Sequence, residues 1–450
     1  MKRFALPISG DGVWASERGT TSAGSEAVVL ALAPDGSALC YSADGVLHIR
    51  LFEQAEARPI PGTEDGKSPC FAPDGTRLAF VDREGNLRVG RLATGMVETI
   101  AERVSPIGTS WAGEDWIVFG VYQGPLHRVR SSGGEPEPVT TKGSGDFFGW
   151  YWPDVLPDGR AVLFSGASGP MSSANKVAMF VFETGETRIL ADGNFPRYLP
   201  TGHIVFARGG ELWAMAFDAD RLDVSGTPCR VLTGVAHSLF SGLTHFALAH
   251  DGSLAYMPTG AQAQDSRLVW VDQDGSTEPA TAAAAAFHHP RLSADGTRAA
   301  VSIADGAGAE HIWVLDLARG SRTRLTVDGT VNRWPVWAPD GERLVFCSTR
   351  GGETMGLFEK RADGSGDAQL LLSPREVGGE YAVPVSWSRH GGALAFYLGT
   401  PAGPRNLWFV SSDGTRREIL ATPFDDRSPA VSPDGSWLAY VSDESGEDEV

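Results

Sequence analysis

The sequence predicts an all-β fold, a β-propeller built from four-stranded antiparallel blades. The first observation is a repeated unit, clearest at residues 333–372, in which three apolar runs are separated by polar turns. The second is the spacing of the turn glycines, which recur about every 40 to 50 residues, the period expected of propeller blades. The third is composition, because 55 Gly and 28 Pro suit many short strands joined by turns.

Blades one and two, at residues 28–62 and 67–102, follow the pattern most strictly. In each, an Asp-Gly pair supplies the turn between the first two strands, because Gly tolerates positive φ and Asp can bond its own backbone. The segment 62–68 (GTEDGKS) resembles a phosphate-binding loop, but it is one residue short and joins two strands instead of opening a helix. We interpret it as a link between blades.

Blades three to six continue the first series with more variation in the turn. Blade three lacks the Asp-Gly pair but keeps apolar strand runs, and blades four, five and six have their turn glycines at Gly159, Gly202 and Gly252. The blades cover residues 107–141, 150–192, 195–233 and 244–281. Before them, Arg3–Ile8 alternates like a strand, and we expect it to be either a closing strand of the first ring or a frayed terminus.

A second series opens at His289, with blades seven, eight and nine at residues 289–327, 333–372 and 382–421. Blade ten begins at Ser428 and has room for only two strands before Val450. We therefore predict two tandem propellers, a six-bladed one at 1–283 and a second at 284–450 that contains about three and a half blades and is truncated. A single ring of ten blades is the alternative.

The charge and cysteine content limit the classes of partner and site. The chain carries 38 Lys and Arg against 56 Asp and Glu, a net charge of −18, which opposes broad attraction to nucleic acid or anionic lipid. The 4 cysteines lie far apart without a C-x-x-C pair, so neither a metal site nor a disulfide framework is indicated. No segment has the features of a signal peptide or a membrane span, so the sequence itself predicts no membrane insertion and leaves the compartment open.

Specific segments resemble known families. The segments Ile312–Thr326, Pro335–Ser348 and Ser432–Ser442 resemble the WD40-like PD40 repeats of TolB propellers. Longer segments are similar to the C-terminal propeller half of bacterial membrane-anchored Ser/Thr protein kinases: Leu126–Thr140, Gly210–Val235, Leu268–Gly275 and Leu420–Gly446. That resemblance implies a sensor region outside the cytoplasm if the chain is tethered to a membrane helix; otherwise the chain would be cytoplasmic. Since this sequence contains no kinase half and no membrane helix, we expect it to be a fragment or a truncated reading frame.

Strand polarity predicts which end of the propellers binds a partner. In a four-stranded antiparallel blade, the loops between strands two and three share one face with the links between blades. These loops vary most here, and variable loops on a fixed scaffold are where binding usually resides. They lie at residues 166–176, 258–266, 304–310, 349–354 and 399–405.

The innermost strands begin on the same face, and their first residues are rich in aromatic and Arg side chains. Such side chains can anchor a partner with little loss of entropy, or they can fill and salt-bridge the channel. We predict a binding site at this channel mouth for a protein or small ligand. Its candidate residues are Trp150, Tyr151, Trp152, Asp154, Arg197, Tyr198, His288, His289, Arg291, Arg333, Trp334 and Arg427.

No catalytic constellation is recognisable, so we expect no enzymatic activity, no cofactor and no metal in this chain. The sequence has no G-x-S-x-G elbow and no kinase catalytic loop, and adjacent His288 and His289 would point to opposite faces of a strand. The leading hypothesis is a non-catalytic ligand- or protein-binding propeller, either a kinase sensor region or a TolB-like scaffold. The alternatives are the propeller of a prolyl-oligopeptidase-like peptidase and a hydrolase with its site in the channel.

Overall fold

The predicted strands and turns form antiparallel sheets. The computed structural model describes residues 30–450 except 44, 55, 123, 141–146, 148, 168–174, 238–242, 260–266, 282, 305–308, 330, 351–354, 389–391, 400–403, 412, 433 and 446–447. This described part contains eight four-stranded and three two-stranded sheets, with one short 3₁₀ helix at Pro374–Val377. The prediction of an all-β fold with four-stranded antiparallel blades is confirmed. The chain separates into two compact units, Met1–Gln262 and Ala263–Val450.

In the first unit, each sheet contains strands in chain order. Blades one to three are β1 Leu30–Leu32, β2 Ala38–Ala43, β3 Val46–Leu51, β4 Arg58–Glu64, β5 Lys67–Phe71, β6 Arg77–Val81, β7 Leu87–Arg91, β8 Val97–Ala101, β9 Thr109–Ala112, β10 Trp116–Phe119, β11 His127–Arg130 and β12 Glu137–Pro138. Blades four and five and the two-stranded sixth sheet are β13 Gly149–Val155, β14 Ala161–Ala167, β15 Lys176–Val181, β16 Thr187–Asp192, β17 Asn194–Leu199, β18 His203–Arg208, β19 Glu211–Asp218, β20 Asp223–Leu232, β21 Phe246–Leu248 and β22 Leu254–Tyr256. The segment that resembles a phosphate-binding loop links β4 to β5, as interpreted from the sequence.

The Asp-Gly turns adopt the conformation that the sequence requires. Gly75 has a φ of 69°, in the left-handed region that favours glycine. The Asp74 carboxylate accepts the backbone N–H of Thr76 at 2.8 Å. The equivalent turn in blade eight has Gly341 at 68° and an N–H donated to Asp340 at 2.8 Å. Each turn therefore satisfies its own backbone while reversing the chain.

Apolar clusters between neighbouring blades close the first unit into a ring. Successive clusters join blade one to two, two to three, three to four, four to five and five to the sixth sheet. A further cluster joins the sixth sheet back to blade one, through Ala247 and Met257 of the former and Leu30 and Tyr41 of the latter. The first and last sheets therefore meet, so that the six innermost strands surround a central channel.

The second unit repeats the same sheet pattern. A hairpin, β23 Val269–Val271 and β24 Thr277–Pro279, precedes three four-stranded blades and one two-stranded sheet. Blades seven to ten are β25 Phe287–Leu292, β26 Arg298–Ala304, β27 Glu310–Asp316, β28 Ser321–Arg324, β29 Asn332–Trp337, β30 Arg343–Ser348, β31 Gly356–Arg361, β32 Gln369–Leu372, β33 Tyr381–Trp387, β34 Ala393–Gly399, β35 Asn406–Ser411, β36 Arg416–Leu420, β37 Arg427–Val431 and β38 Leu438–Val441.

The β23–β24 hairpin lies within residues 244–281, which the sequence analysis assigns to blade six. Its flanking residue Leu268 packs on the apolar cluster of blade seven, next to Val301 and Leu315. The compact units divide at Gln262–Ala263. The predicted organisation, a six-bladed propeller at 1–283 and a truncated one at 284–450, stays a prediction. Clusters of the same kind as in the first unit join blade seven to eight and eight to nine.

Two sequence-based predictions lie outside the described residues. The proposed closing strand Arg3–Ile8 is one of them. Most of the variable loops predicted to carry a binding surface also fall there, because residues 168–174, 260–266, 305–308, 351–354 and 400–403 are not described. The candidate site can therefore be assessed from the innermost strands.

Candidate binding site

A recurring bulge shapes the innermost strands of both units. In six described blades, a residue with left-handed φ between 50° and 54° precedes a proline, and the register with the second strand shifts there. The left-handed residues are Ser68, Trp152, Phe195, His289, Trp334 and Ser428. A proline suits this position because its missing N–H leaves no unpaired donor where the ladder is interrupted.

The sequence contains a signal for this bulge that strand periodicity does not reveal. Each of the six prolines stands six residues before the glycine of the following turn, as in Pro335 and Gly341. Three predicted site residues, Trp152, His289 and Trp334, occupy the left-handed position. A non-glycine residue there costs about 1–3 kcal/mol, so the surrounding packing must hold it in place.

The aromatic candidates of blade four lie in the core between blades. The Trp150 ring stacks on Phe164 of its own blade with centroids 4.4 Å apart, within the cluster that joins blades three and four, and only 4% of Trp150 is exposed. Tyr151 and Trp152 belong to the cluster that joins blades four, five and six, where the Trp152 and Phe195 rings lie 5.8 Å apart. These three side chains are thus packed against neighbouring blades, not displayed at an open rim.

Asp154 forms a hydrogen bond between blades. Its Oδ2 accepts the backbone N–H of Tyr198 in blade five at 2.7 Å. Ser110 Oγ accepts the N–H of Val155 from the next blade at 2.9 Å, and Ser386 makes the same contact with Val431 at 3.1 Å. All three acceptors follow the bulge position of their own blade, so the contact recurs with the repeat.

The environment of Asp154 has opposing electrostatic effects. Burial raises the pKa of the Asp154 carboxyl, whereas the nearby Arg197 and the Tyr198 N–H oppose that rise. Tyr198 itself is half-buried, and its ring meets Phe217 edge to face at 5.9 Å. A polar carboxylate is therefore held rigidly on the channel wall of the first unit.

Arg197 lies on the same wall. Its guanidinium stacks 4.0 Å above the ring of buried Phe195, and Nη1 donates to the carbonyl of Pro196 at 2.8 Å and to that of Trp152 at 3.4 Å. Burial lowers the pKa of Arg197, while Asp154 raises it. The aromatic ring and the two carbonyls fix the direction of the cation.

The second unit brings four predicted residues together on blades seven and eight. Arg333 forms an ion pair with Glu310, of which 1% is exposed. The rings of His289 and Trp334 lie 5.3 Å apart, and those of His288 and His289 lie 6.1 Å apart. Burial and the neighbouring Arg333 lower the pKa of His289 to about 3, so its imidazole is neutral at pH 7.

The remaining predicted residues contact the next blade through the backbone or through acidic groups. Arg291 accepts the indole N–H of Trp337 on its carbonyl at 2.9 Å. Arg427 pairs with Asp425 at 3.2 Å and with Asp448. Asp425 also accepts Nε of Arg405 at 2.6 Å, so an ion network joins blades nine and ten.

Sequence reasoning missed a second repeated contact, in which an arginine covers a tryptophan of the following blade. Arg77 lies over the Trp111 ring and Arg298 over the Trp337 ring, each 4.7 Å from the ring centroid. Trp111 donates its indole N–H to a backbone carbonyl of the preceding blade at 3.1 Å, as Trp337 does to Arg291. The sequence does contain a signal for this contact, because both tryptophans stand at the end of the first apolar run of their blade, just before the first turn.

Within the residues that the structure describes, no group of three or more His, Cys, Asp and Glu side chains could hold a metal ion. The described part also has no helix with the length and apolar character needed to cross a bilayer. The turn aspartates Asp74, Asp340 and Asp434 each accept a backbone N–H within their own turn. What the arrangement supplies is a rigid wall with fixed cationic and anionic groups, suited to recognition.

Known proteins share this repeat. The chain is 28% identical over 156 residues to the protein TolB homolog of Chlorobium luteolum, covering 33% of this chain and 33% of that protein. It is 30% identical over 178 residues to the uncharacterized peptidase YuxL of Bacillus subtilis, covering 38% of this chain and 24% of YuxL. The chain therefore spans a third or less of the length of these two curated relatives.

Among solved structures, the β-propeller domain of Cps50 (Swd1) from Myceliophteria thermophila aligns with 74% of this chain and 96% of its own, at 12% identity and a TM-score of 0.36. The family model for the TolB beta propeller domain, PD40, matches residues 223–450, just over half of the chain. The match covers blades seven to ten, of which blades seven, eight and ten have an Asp-Gly turn and a proline bulge. This chain belongs to the TolB β-propeller domain family.

Proposed function

We propose that this chain is a non-catalytic propeller that binds a protein partner at the channel mouth. The observation that carries this proposal is that polar side chains of the channel wall form hydrogen bonds to the neighbouring blade. In the first unit, Asp154 and Ser110 each accept a backbone N–H from the next blade, so they stabilise the channel wall. A wall preorganised in this way binds with little further loss of conformational entropy.

Reconstitution from purified components tests the proposal. Proteins captured on the immobilised chain from a bacterial extract are purified separately and mixed with it, and sedimentation velocity measures complex formation. We expect at least one stoichiometric complex. Failure of every purified candidate to form one would contradict the proposal.

An activity assay tests the second part of the proposal, that the chain is not a catalyst. The purified chain is incubated with chromogenic peptide and ester substrates, and product release is followed against a buffer blank. We expect no turnover above the blank. Turnover that the substitution Arg197→Gln abolishes would identify a channel enzyme and overturn the proposal.

The narrower form of this proposal is a sensor or interaction region of a bacterial receptor-type Ser/Thr kinase. Its support is the similarity of Leu126–Thr140 and Gly210–Val235 to such propellers. Sequencing the reading frame beyond both ends decides it. An upstream kinase domain followed by a membrane helix is expected, and a frame that encodes neither would exclude the sensor role.

The propeller of a prolyl-oligopeptidase-like peptidase is a second candidate, favoured by the similarity to YuxL over 178 residues. In such an enzyme the propeller accompanies a separate hydrolase domain, and this chain would contribute recognition. The same sequencing experiment separates the candidates, because the peptidase requires a G-x-S-x-G segment downstream of Val450. Its presence would favour the peptidase over the sensor.

A further inference from the structure

Three residues of the first unit occupy one level of the channel wall. Cys70, Asp154 and Arg197 each follow the bulge proline, in blades two, four and five. Arg197 affects the pKa of both Cys70 and Asp154, and Asp154 raises that of Cys70, so the three side chains face a common space although they come from different blades. The position of these residues in the repeat and their mutual electrostatic effects therefore both place them at the same level of the channel.

This space admits solvent. Asp154, Arg197 and Cys70 are all half-buried, although burial is the largest influence on the pKa of each. Side chains that are crowded by protein yet keep accessible surface are expected on the wall of a channel, not in a closed core. The Cys70 thiol, with its pKa raised to about 11, is neutral at pH 7 and adds no charge.

Arg197 and Asp154 do not neutralise each other directly. Among the described ion pairs, none joins them, so their charged atoms are more than 4.0 Å apart. Nη1 of Arg197 is used by the two carbonyls, whereas Nε and Nη2 have no hydrogen-bond partner among the described residues and are not buried. Oδ2 of Asp154 accepts the N–H of Tyr198, whereas Oδ1 has no hydrogen-bond partner among the described residues and is not buried.

The open atoms define the chemistry of a ligand. A guanidinium with a free edge binds a carboxylate through two parallel hydrogen bonds. The free oxygen of Asp154 accepts an N–H donor and repels a second anion, so a bare anion is a poor fit. An acidic residue within a peptide satisfies both, since its side chain supplies the carboxylate and its backbone supplies the N–H.

We propose that Arg197 and Asp154 form a subsite in the channel of the first unit that binds an acidic residue of a partner protein. Arg197 takes the side-chain carboxylate, and Asp154 takes a neighbouring N–H. The subsite rests on the proposed binding function and specifies the chemistry of the partner. A free amino acid carries the same two groups, and the experiment distinguishes this source from a protein segment.

Peptide binding to the full chain tests the subsite without any substitution. Isothermal titration compares acetyl-Gly-Asp-Gly-amide, its Asn counterpart and free glutamate. We expect the Asp peptide to bind about tenfold or more tightly than the Asn peptide, because hydrogen bonds to a charged group are the stronger ones. Equal affinity for the Asp and Asn peptides would overturn the proposal, and so would binding of glutamate alone.

Substitutions then locate the site. Arg197→Gln is expected to reduce affinity for the Asp peptide to that of the Asn peptide. Arg208→Gln is the matched control, because Arg208 also stacks on an aromatic ring, that of Trp213 at 4.9 Å, and hydrogen-bonds to the carbonyl of Asp192 at 2.7 Å. An Arg197→Gln protein that is folded and still prefers the Asp peptide would overturn the assignment.

A conservative variant covers the case in which Arg197→Gln fails to fold. Arg197→Lys keeps the positive charge but loses the planar fork of the guanidinium, so we expect it to bind the Asp peptide about tenfold more weakly. Its circular dichroism spectrum should match that of the wild type, which shows that the variant is folded. Unchanged affinity in this variant would contradict the role of Arg197. If a protein partner binds the Arg197→Gln chain as tightly as the wild type, the subsite is rejected but the proposed binding function stands. If the chain binds the Asp peptide and also shows turnover that depends on Arg197, the subsite stands but the proposed non-catalytic function is rejected.

Discussion

Trp337 illustrates how a single side chain joins two blades. Its indole N–H bonds the carbonyl of Arg291 at 2.9 Å, and its ring lies under the guanidinium of Arg298, which also donates to the carbonyl of Gly341 at 2.6 Å. One side chain thus combines apolar burial, a hydrogen bond and a cation–π contact. Trp111 and Arg77 make the equivalent contacts in the first unit.

Substitution of Trp337 by Phe should reveal the contribution of this contact. The Arg291 carbonyl loses its donor and the Arg298 guanidinium loses its preferred ring, so we expect the free energy of unfolding to fall by about 1–3 kcal/mol. Urea denaturation followed by circular dichroism measures it. Trp437→Phe is the control, since Trp437 is 78% exposed, and its effect should remain within about 0.5 kcal/mol. Equal effects of the two substitutions would show that the contact adds no stability.

Asp154 should make stability depend on pH. Its pKa is raised in the folded protein, so between the unfolded and folded pKa values the folded state holds more protons and stability falls as pH rises. Asp154→Asn keeps an acceptor for the Tyr198 N–H without the charge. We expect this variant to be more stable than the wild type at pH 7, with the difference shrinking as the pH is lowered through the folded pKa.

Thermal unfolding of both proteins across pH 4 to 8 measures that difference. Asp154→Ala is the control for the hydrogen bond: it lacks both the charge and the acceptor, so it should be less stable than Asp154→Asn by about 1–3 kcal/mol at every pH. A stability difference between wild type and Asp154→Asn that does not vary with pH would contradict the shifted ionisation of Asp154.

At the scale of the strand, the turns were predictable and the bulges were not. An Asp-Gly pair specifies a tight reversal through local chemistry alone, which is why the turns at Gly75 and Gly341 have the expected conformation. The bulge before Pro153 and its counterparts depends on how a strand fits the next blade. A proline after an aromatic residue is equally compatible with the start of a strand, so periodicity could not distinguish the two.

The same limit applies to the candidate site. Position in the repeat assigns Asp154 and Arg197 to the first strands of their blades, and they lie in β13 and β17. Whether a side chain faces the channel or the neighbouring blade depends on the bulge, which reverses the alternation locally. Trp150 consequently packs on Phe164 in the core, while Arg197 keeps accessible surface.

The bulge predicts a stabilising substitution. Ser68 has a φ of 53°, and blade three places Gly108 at the equivalent position with a φ of 77°. Ser68→Gly removes the steric cost of the left-handed conformation, and we expect a gain of about 1 kcal/mol in the free energy of unfolding. Ser68→Ala keeps that cost and should give no gain, as measured by urea denaturation. Equal stability of the Gly and Ala variants would show that the bulge is not strained.

At the scale of the molecule, the first unit is held together by closure. Six apolar clusters, one between each pair of adjacent sheets, make every blade depend on two neighbours. The two-stranded sixth sheet has the fewest strands, but it belongs to two of these clusters, through Phe246 on one side and Ala247 on the other. Its removal would expose apolar surface on both blade five and blade one.

Closure predicts that the first unit folds alone and depends on its sixth sheet. We expect residues 1–262 to form a monomer that unfolds in one cooperative transition, since its core clusters are complete within those residues. Residues 1–234 lack Phe246, Met257 and the rest of that sheet, and should unfold at lower temperature and associate through the exposed blade faces. Calorimetry and sedimentation velocity on both fragments measure these properties. A fragment 1–234 that is monomeric and as stable as 1–262 would show that the ring does not depend on its closing sheet.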